Sequence, residues 1–312
     1  MSEVSRARFK LFSFTDFRES FGNFLFVLPA LLIFSIFYIY PFYKTFHLSF
    51  HEWNGISLKQ FFVGFDNFKE LMGDENWWIA VRNAGYITLI ALTFQNALAL
   101  ALALACDREI KLKRFYRVVF FIPPVLSETV VGLIWSWILY SGTQGGQHIG
   151  LLNHLLDKTG LAYLVNDWLS DPKTALSCIA VVHSWKGFGW GFLLMLAGLQ
   201  TIDRQLYEAA RVDGAGPWSV FVHVTLPMMM PVFLMVMILT VLGAMQAFVL
   251  ILVMVGQGLV YHTEVPVTRI LAAMTGGYPK FGYACAMAVI FGLMLVAVSF
   301  TFQKLSSKVK QA

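Results

Sequence analysis

Charge is what this sequence has least of. Asp, Glu, Lys and Arg make up 13% of its 312 residues, about half the share usual in a soluble globular domain. A chain so poor in charge cannot cover a water-facing surface of its own, which excludes an ordinary soluble enzyme. Cysteine is scarce as well. Cys106, Cys178 and Cys285 sit within or at the edges of apolar runs without metal-ligand spacing, so they read as buried free thiols rather than a disulfide framework or a metal site. No G-x-x-x-x-G-K-[ST] phosphate loop occurs, so the chain does not bind and hydrolyse ATP by itself in the usual way, and the histidines lack H-E-x-x-H spacing. No catalytic constellation is apparent, and no cofactor is expected in this chain.

What the sequence has is long apolar runs: 58% of its residues are hydrophobic. A span of about 20 apolar residues crosses the hydrocarbon core as a helix. Six such runs occur, Phe24 to Phe42, Ala84 to Cys106, Val118 to Tyr140, Ala175 to Leu199, Pro231 to Val255 and Tyr283 to Phe302. The expectation is an all-α polytopic membrane protein with six transmembrane helices. Its parts are a polar N-terminal segment (1–23), a transmembrane domain (24–302) and a short tail (303–312). The first run is too long for a signal-peptide core and has no cleavage pattern, so it reads as an uncleaved anchor.

Short loops rich in Lys and Arg stay in the cytoplasm. Arg6, Arg8, Lys10 and Arg18 precede the first run, Arg108, Lys111, Lys113, Arg114 and Arg117 follow the second, and Lys304, Lys308 and Lys310 close the chain. Both termini are therefore expected inside. The same bias accounts for the net charge of +5 without a nucleic-acid partner; the partner implied by composition is membrane lipid.

Between the fourth and fifth runs lies a polar island, 203–227. Arg204 to Val212 are good helix formers, and Asp213-Gly214 gives a stop signal. Pro217 suits the first turn of a second helix, which Pro227 is expected to interrupt or kink. A helix, a glycine turn and a second helix, with small Ala209, Ala210 and Ala215 allowing close approach, make a compact knob. Read blandly, the same stretch is an amphipathic loop returning the chain to the bilayer.

The letters of this island, Glu208-Ala209-Ala210, then Asp213-Gly214-Ala215, then Leu226-Pro227, resemble the cytoplasmic coupling loop of binding-protein-dependent ABC importer permeases. Phe62-Val63-Gly64-Phe65-Asp66-Asn67-Phe68, Gly150-Leu151-Leu152-Asn153 and Trp168-Leu169-Ser170-Asp171-Pro172 look like the outward loops of the carbohydrate members, specifically the maltose-type first permease subunit. The resemblance runs from Leu28 to Phe302, and its specific part is the coupling loop. It implies the type I ABC importer permease fold in a bacterial or archaeal plasma (inner) membrane, and alternating-access import of a sugar. It also implies a second permease subunit, making a heterodimer, two ATPase subunits that bind ATP and Mg, and an external solute-binding protein. Glu208, Ala209, Ala210, Asp213, Gly214 and Ala215 would contact the ATPase. Two stretches depart from the pattern: Val255-Gly256-Gln257-Gly258-Leu259-Val260 replaces a glycine-rich turn ending in proline, and Ile202-Asp203 replaces Ile-Pro. They leave the solute open; a non-sugar solute such as an amino acid or glycerol phosphate is the alternative.

Ionisable residues inside spans are costly and point to function. Glu128, about ten residues into the third run, and Lys186, about eleven into the fourth, are expected near mid-membrane at 1.5 Å per residue. Opposite charges at one depth suggest a pair, either a polar wall of the translocation path or a structural clasp. An acid–base pair for a membrane-embedded enzyme, with His183 as a possible member, is the reading from a different class. Around Lys186, Gly187, Gly189 and Gly191 are expected to loosen the helix and free backbone carbonyls. Trp185 and Trp190 would stack on a sugar ring, with Ser184 and His183 bonding hydroxyls, or simply pack. Gln246 and Phe248 are further candidates, and Pro123-Pro124 is expected to kink the third span.

Overall fold

The computed structural model describes residues 14–108, 111–145, 147–256 and 262–309. The basic residues Arg6, Arg8, Lys10 and Lys310, and most of the atypical loop (Gln257, Gly258, Leu259 and Val260), lie outside them.

Helices dominate, as the apolar periodicity requires. The spans are Asn23–Leu48, Glu75–Asp107, a broken third, Ala175–Leu199, Pro217–Met245 and Phe281–Lys304. Two small antiparallel strand pairs interrupt the helical pattern in the loops. His51–Glu52 pairs with Phe61–Phe62, and Thr143–Gln144 with Gln147–His148. The first span starts from a helix already formed at Phe14, inside the segment expected to be merely polar, and its most apolar window buries nothing against the rest of the chain. Such a helix is stable only with apolar surroundings on every side.

Two spans differ from the straight helices expected. The third consists of Lys113–Val125 and Glu128–Ile138, bent 95° apart at Leu126-Ser127. Pro123 and Pro124 fill the last turn of the first arm. Their missing N–H groups leave the preceding carbonyls without helical partners, so the helix ends there rather than kinking. Ser127 starts the second arm as its N-cap, its Oγ accepting from the Val130 N–H at 3.3 Å. The fifth span ends at Met245, with Gln246 as its C-cap, and Val249–Val255 is a separate short helix. Pro227 does not interrupt the chain. A π-helical stretch, Phe221–Thr225, precedes it, and Pro227 occupies the first turn of the next α-helical segment, where no N–H is needed.

The fourth span lies at the centre. Its glycines do not loosen it; Ala175–Leu199 is one unbroken helix. They thin it instead. A Cβ on Gly189 would meet the Phe120 carbonyl oxygen and Pro124 Cγ at 2.5 Å, and one on Gly198 would meet Val232 at 3.0 Å. With only hydrogen at those positions, the third-span backbone and the fifth-span side chains come up against the fourth-span backbone, which is how helices associate where no hydrophobic effect drives them together. Two apolar clusters result. One joins Ile87, Ala91, Val131, Ile179, Val182, Leu250 and Met254; the other joins Ala99, Ala103, Phe188, Phe192, Met195, Met229 and Val236.

At the end of the bundle opposite 203–227, polar contacts tie three loops together. Asp74 caps the helix that begins at Glu75, its Oδ1 accepting from the N–H groups of Asn76 (3.0 Å) and Trp77 (3.3 Å). Its Oδ2 accepts from the Tyr283 hydroxyl at 2.8 Å and lies 3.5 Å from Arg269, which also reaches buried Glu264 at 3.5 Å. The Asn83 amide donates to the carbonyls of His262 and Glu264. Burial alone would raise the Asp74 pKa. The Tyr283 hydrogen bond, the Arg269 charge and the two amides outweigh it and hold the carboxyl below its ordinary value. Burial pushes Glu264 the other way, above its ordinary value despite Arg269.

The two signs give opposite pH dependences. A depressed carboxyl stabilises the fold above its unfolded pKa of about 3.9 and loses that contribution as pH falls through the folded value; a raised one stabilises at low pH and loses it as pH rises through its folded value. Asp74→Asn is expected to cost about 1–3 kcal/mol at neutral pH, the usual range for a hydrogen-bonded charge. The gap to wild type should close as pH drops below about 3.9. Thermal unfolding of the detergent-solubilised protein across pH checks this, and a gap that stays constant would remove Asp74 from the network.

Candidate functional site

The island between the fourth and fifth spans folds into the two-helix knob that its letters suggest. Asp203, the residue that departs from the Ile-Pro pattern, caps the first helix, its Oδ1 accepting from the Gln205 N–H at 2.9 Å. Arg204–Val212 follows, with none of its residues buried. The helix closes with two reversed hydrogen bonds, Ala215 N–H to the Ala210 carbonyl (2.9 Å) and Gly214 N–H to the Arg211 carbonyl (3.0 Å). This is a Schellman turn, and it needs a left-handed residue at the position of Gly214, whose φ is +79°. Gly216 then caps the second helix, with Pro217 at its first turn, and this helix runs without a break into the fifth span.

Tyr207 ties the first helix of the knob to the second and to the bundle. Tyr207 packs against the second apolar cluster, and its hydroxyl accepts from Thr225 Oγ1 at 3.3 Å. Most of the first helix and the turn face outward. Glu208, Ala209, Asp213 and Gly214 are exposed, Ala210 and Ala215 half-buried. Sequence reasoning missed three apolar members: Leu206 is exposed, Val212 is 87% exposed and Trp218 is 74% exposed, its ring 5.5 Å from that of Phe221. The available signal was the presence of large apolar side chains in an island otherwise rich in polar and small residues. A rigid projection carrying an indole, an aliphatic tip and a carboxylate has the composition of a contact surface.

The mid-span candidates separate into two groups. Glu128 and Lys186 do meet, with Lys186 Nζ 3.8 Å from Glu128 Oε1; the lysine side chain is 17% exposed and the glutamate 37%. At 3.8 Å this is a charge contact rather than a hydrogen bond. The route to it is not the one the spacing suggests. Glu128 does not lie partway along a straight helix; it is the first residue of the second arm of the broken span, just past the bend. There it stands at a helix N-terminus as well as beside the lysine. Trp190 is exposed, its ring 5.2 Å edge-on from that of Phe121, and Gln246 is exposed at the end of the fifth-span helix.

Trp185 and Phe248 are instead half-buried packing residues. Trp185 meets Trp135 edge-on at 5.7 Å and touches both apolar clusters, and Phe248 packs on the first. Ser184 is fully buried and His183 half-buried.

The geometry can be set beside known proteins. The family profile described as "Binding-protein-dependent transport system inner membrane component" matches residues 95–311. The diacetylchitobiose uptake system permease protein NgcF of Streptomyces coelicolor is 31% identical over 285 residues, spanning 88% of this chain and 78% of that protein. The lactose transport system permease protein LacF of Rhizobium radiobacter is 28% identical over 282 residues, 89% of this chain and 92% of its own. Among solved structures, a bacterial ABC transporter involved in the import of the acidic polysaccharide alginate superposes with a TM-score of 0.78 at 22% identity. The superposition covers 94% of this chain and 98% of that one, and it shows a shared fold. With six apolar segments, an exposed two-helix knob and a matched profile over most of its length, this chain belongs to the family of binding-protein-dependent ABC importer permeases.

Proposed function

We propose that this chain is one of two permeases in an ATP-driven importer of a sugar or oligosaccharide, and that the knob at 203–227 is where force enters it. The observation that carries the reading is the knob itself: a first helix with no buried residue, closed by a glycine turn onto a second helix that is continuous with a span. A displacement of the first helix passes through a rigid turn into the fifth span without a flexible joint to absorb it. The distribution of Lys and Arg supports a cytoplasmic location for both termini and this loop, where two ATPase subunits that bind ATP and Mg would reach it. The transport family leaves no role for Glu128 and Lys186 as an enzyme's acid–base pair.

The sugar reading rests on the relatives, whose names give diacetylchitobiose and lactose, and on the mid-span surface. Exposed Trp190 offers a flat apolar face, and Glu128, Lys186 and Gln246 offer hydroxyl partners. An external solute-binding protein would deliver the solute to the opposite end, and the most apolar window of the first span, buried against nothing in this chain, has room for a different permease as well as for lipid in a plasma membrane. Calorimetric binding of a sugar panel to the cognate solute-binding protein tests the solute class. Binding confined to an amino acid or a phosphorylated glycerol would replace it.

Glu208→Lys and Gly214→Pro are each expected to abolish uptake while the amount of protein in the membrane stays at the wild-type level. Glu208 is exposed, so its reversal acts on a partner rather than on the fold. Proline cannot adopt the positive φ of Gly214. Uptake together with co-purification of the ATPase at wild-type levels in both variants would sink the coupling role.

For the mid-span pair, removing one partner is expected to cost up to about 3–5 kcal/mol, the range for an uncompensated buried charge, reduced here by the partial exposure of Glu128. The double variant Glu128→Gln with Lys186→Met should regain much of what either single loses. Stable protein with poor uptake in the double variant assigns the pair to the solute path, and recovery of both stability and uptake assigns it to a clasp. Simple addition of the two losses in Tm would show that the residues do not interact.

A further inference from the structure

Beside the apolar clusters lies a group of buried polar atoms that neither the coupling knob nor the Glu128–Lys186 pair uses. In the second span, a π-helical stretch, Ala91–Gln95, ends in Gln95 and Asn96. Gln95 is 6% exposed and Asn96 1%; across from them on the fourth span, Ser184 is 0% exposed. Three of their atoms have no hydrogen-bond partner among the described residues: Gln95 Oε1, Asn96 Nδ2 and Ser184 Oγ. Buried polar atoms without partners are rare and costly in folded proteins, and the usual remedy is an ordered water.

Helical spacing sets Ser184 on the face of the fourth span that Gln95 and Asn96 meet. Ser184, Gly187 and Gly191 recur at helical spacing along the fourth span. The Gln95 amide lies so close to Gly187 that a Cβ there would meet Oε1 at 2.6 Å, and Asn96 Oδ1 would be 3.9 Å from a Cβ on Gly191. The third side is closed by the fifth span, whose Thr240 Oγ1 lies 3.1 Å from Asn96 Oδ1 and shares its one hydrogen between that oxygen and the Val236 carbonyl at 2.9 Å. The Asn96 oxygen is thus engaged by Thr240, and its NH2 group is the part without a partner among the described residues.

We propose that Gln95, Asn96 and Ser184 together bind one buried water molecule that ties the second span to the fourth. The atoms match in kind. Water donates one hydrogen to Gln95 Oε1 and the other to Ser184 Oγ, and accepts from Asn96 Nδ2, making the three bonds usual for a buried water. The set is uncharged and includes an N–H donor, which suits water and not a metal ion. Such a bridge satisfies polar atoms that would otherwise stand exposed to apolar packing, and its bonds re-form easily when two helices shift past one another. The π-helical turn supplies the geometry: one residue wider than an α-turn, it is a common feature of functional sites in helices.

A double-mutant cycle on the full-length protein in the assembled transporter tests this. Ser184→Ala and Gln95→Met each lose the shared water and should each lower Tm by about 2–6 °C. The double variant should fall no further than the worse single, because the water is lost only once. A Ser184→Ala protein as stable as wild type or more so, or losses that add, would overturn the proposal. Should either variant fail to assemble, the wild-type transporter decides. A map that resolves ordered solvent is expected to show a peak about 3 Å from all three atoms, and an empty space or a direct side-chain contact there rules the water out.

Discussion

Hydrogen in place of side chains along the fourth span is the constraint on which this bundle depends. In lipid, apolar faces gain nothing by meeting one another, so helices associate through close packing and polar contacts. Gly189 lets the turn at Phe120 and Pro124 rest on the fourth-span backbone, Gly187 admits the Gln95 amide, and Gly198 admits Val232 and Met229. Each of these fixes a different neighbour: the broken third span, the second and the fifth. The two apolar clusters form around that axis, one toward each end of the bundle, and Trp185 packs against both.

The break in the third span follows from the same packing. Two adjacent prolines end one arm, and Ser127 caps the next. The exposed backbone of such a corner is tolerated at membrane depth where protein covers it or where it lines a polar cavity. Gly189 meets the first arm through Phe120 and Pro124, and Lys186, one helical turn earlier, reaches the first residue of the second arm. The charge pair is thus a product of the corner. Without the bend, Glu128 would be one more position along a helix; with it, the carboxylate stands at a helix N-terminus facing a lysine.

The knob is built on an opposite principle. It has little packing and much local hydrogen bonding: an aspartate cap, a Schellman turn and one tyrosine–threonine contact. Local bonds make a shape rigid without burying it, so its apolar side chains stay available. A rigid, exposed projection continuous with a span is suited to carrying motion between subunits, in keeping with membership of a family whose permeases work within larger assemblies.

By itself the sequence determined whatever depends on composition and short-range geometry. Six apolar runs require membrane spans, since no other burial is large enough for them. The knob's turn was legible because only glycine takes a left-handed φ freely, and Gly214 stands just where a helix must reverse. Pairing of Glu128 with Lys186 was legible from opposite charges in apolar runs, because an isolated charge there is too costly. Only tertiary structure decided what the glycines near Lys186 do. A glycine can loosen a helix or thin it, and the outcome depends on whether a neighbour is close enough to fill the gap, which Phe120, Pro124 and Gln95 are. It also decided that Trp185 and Phe248 pack while Trp190 stays exposed, because aromatic side chains carry no mark of which face of a helix meets a partner. The 95° corner in the third span was signalled as a kink by its prolines, but its angle came from the surfaces that the two arms found to pack against.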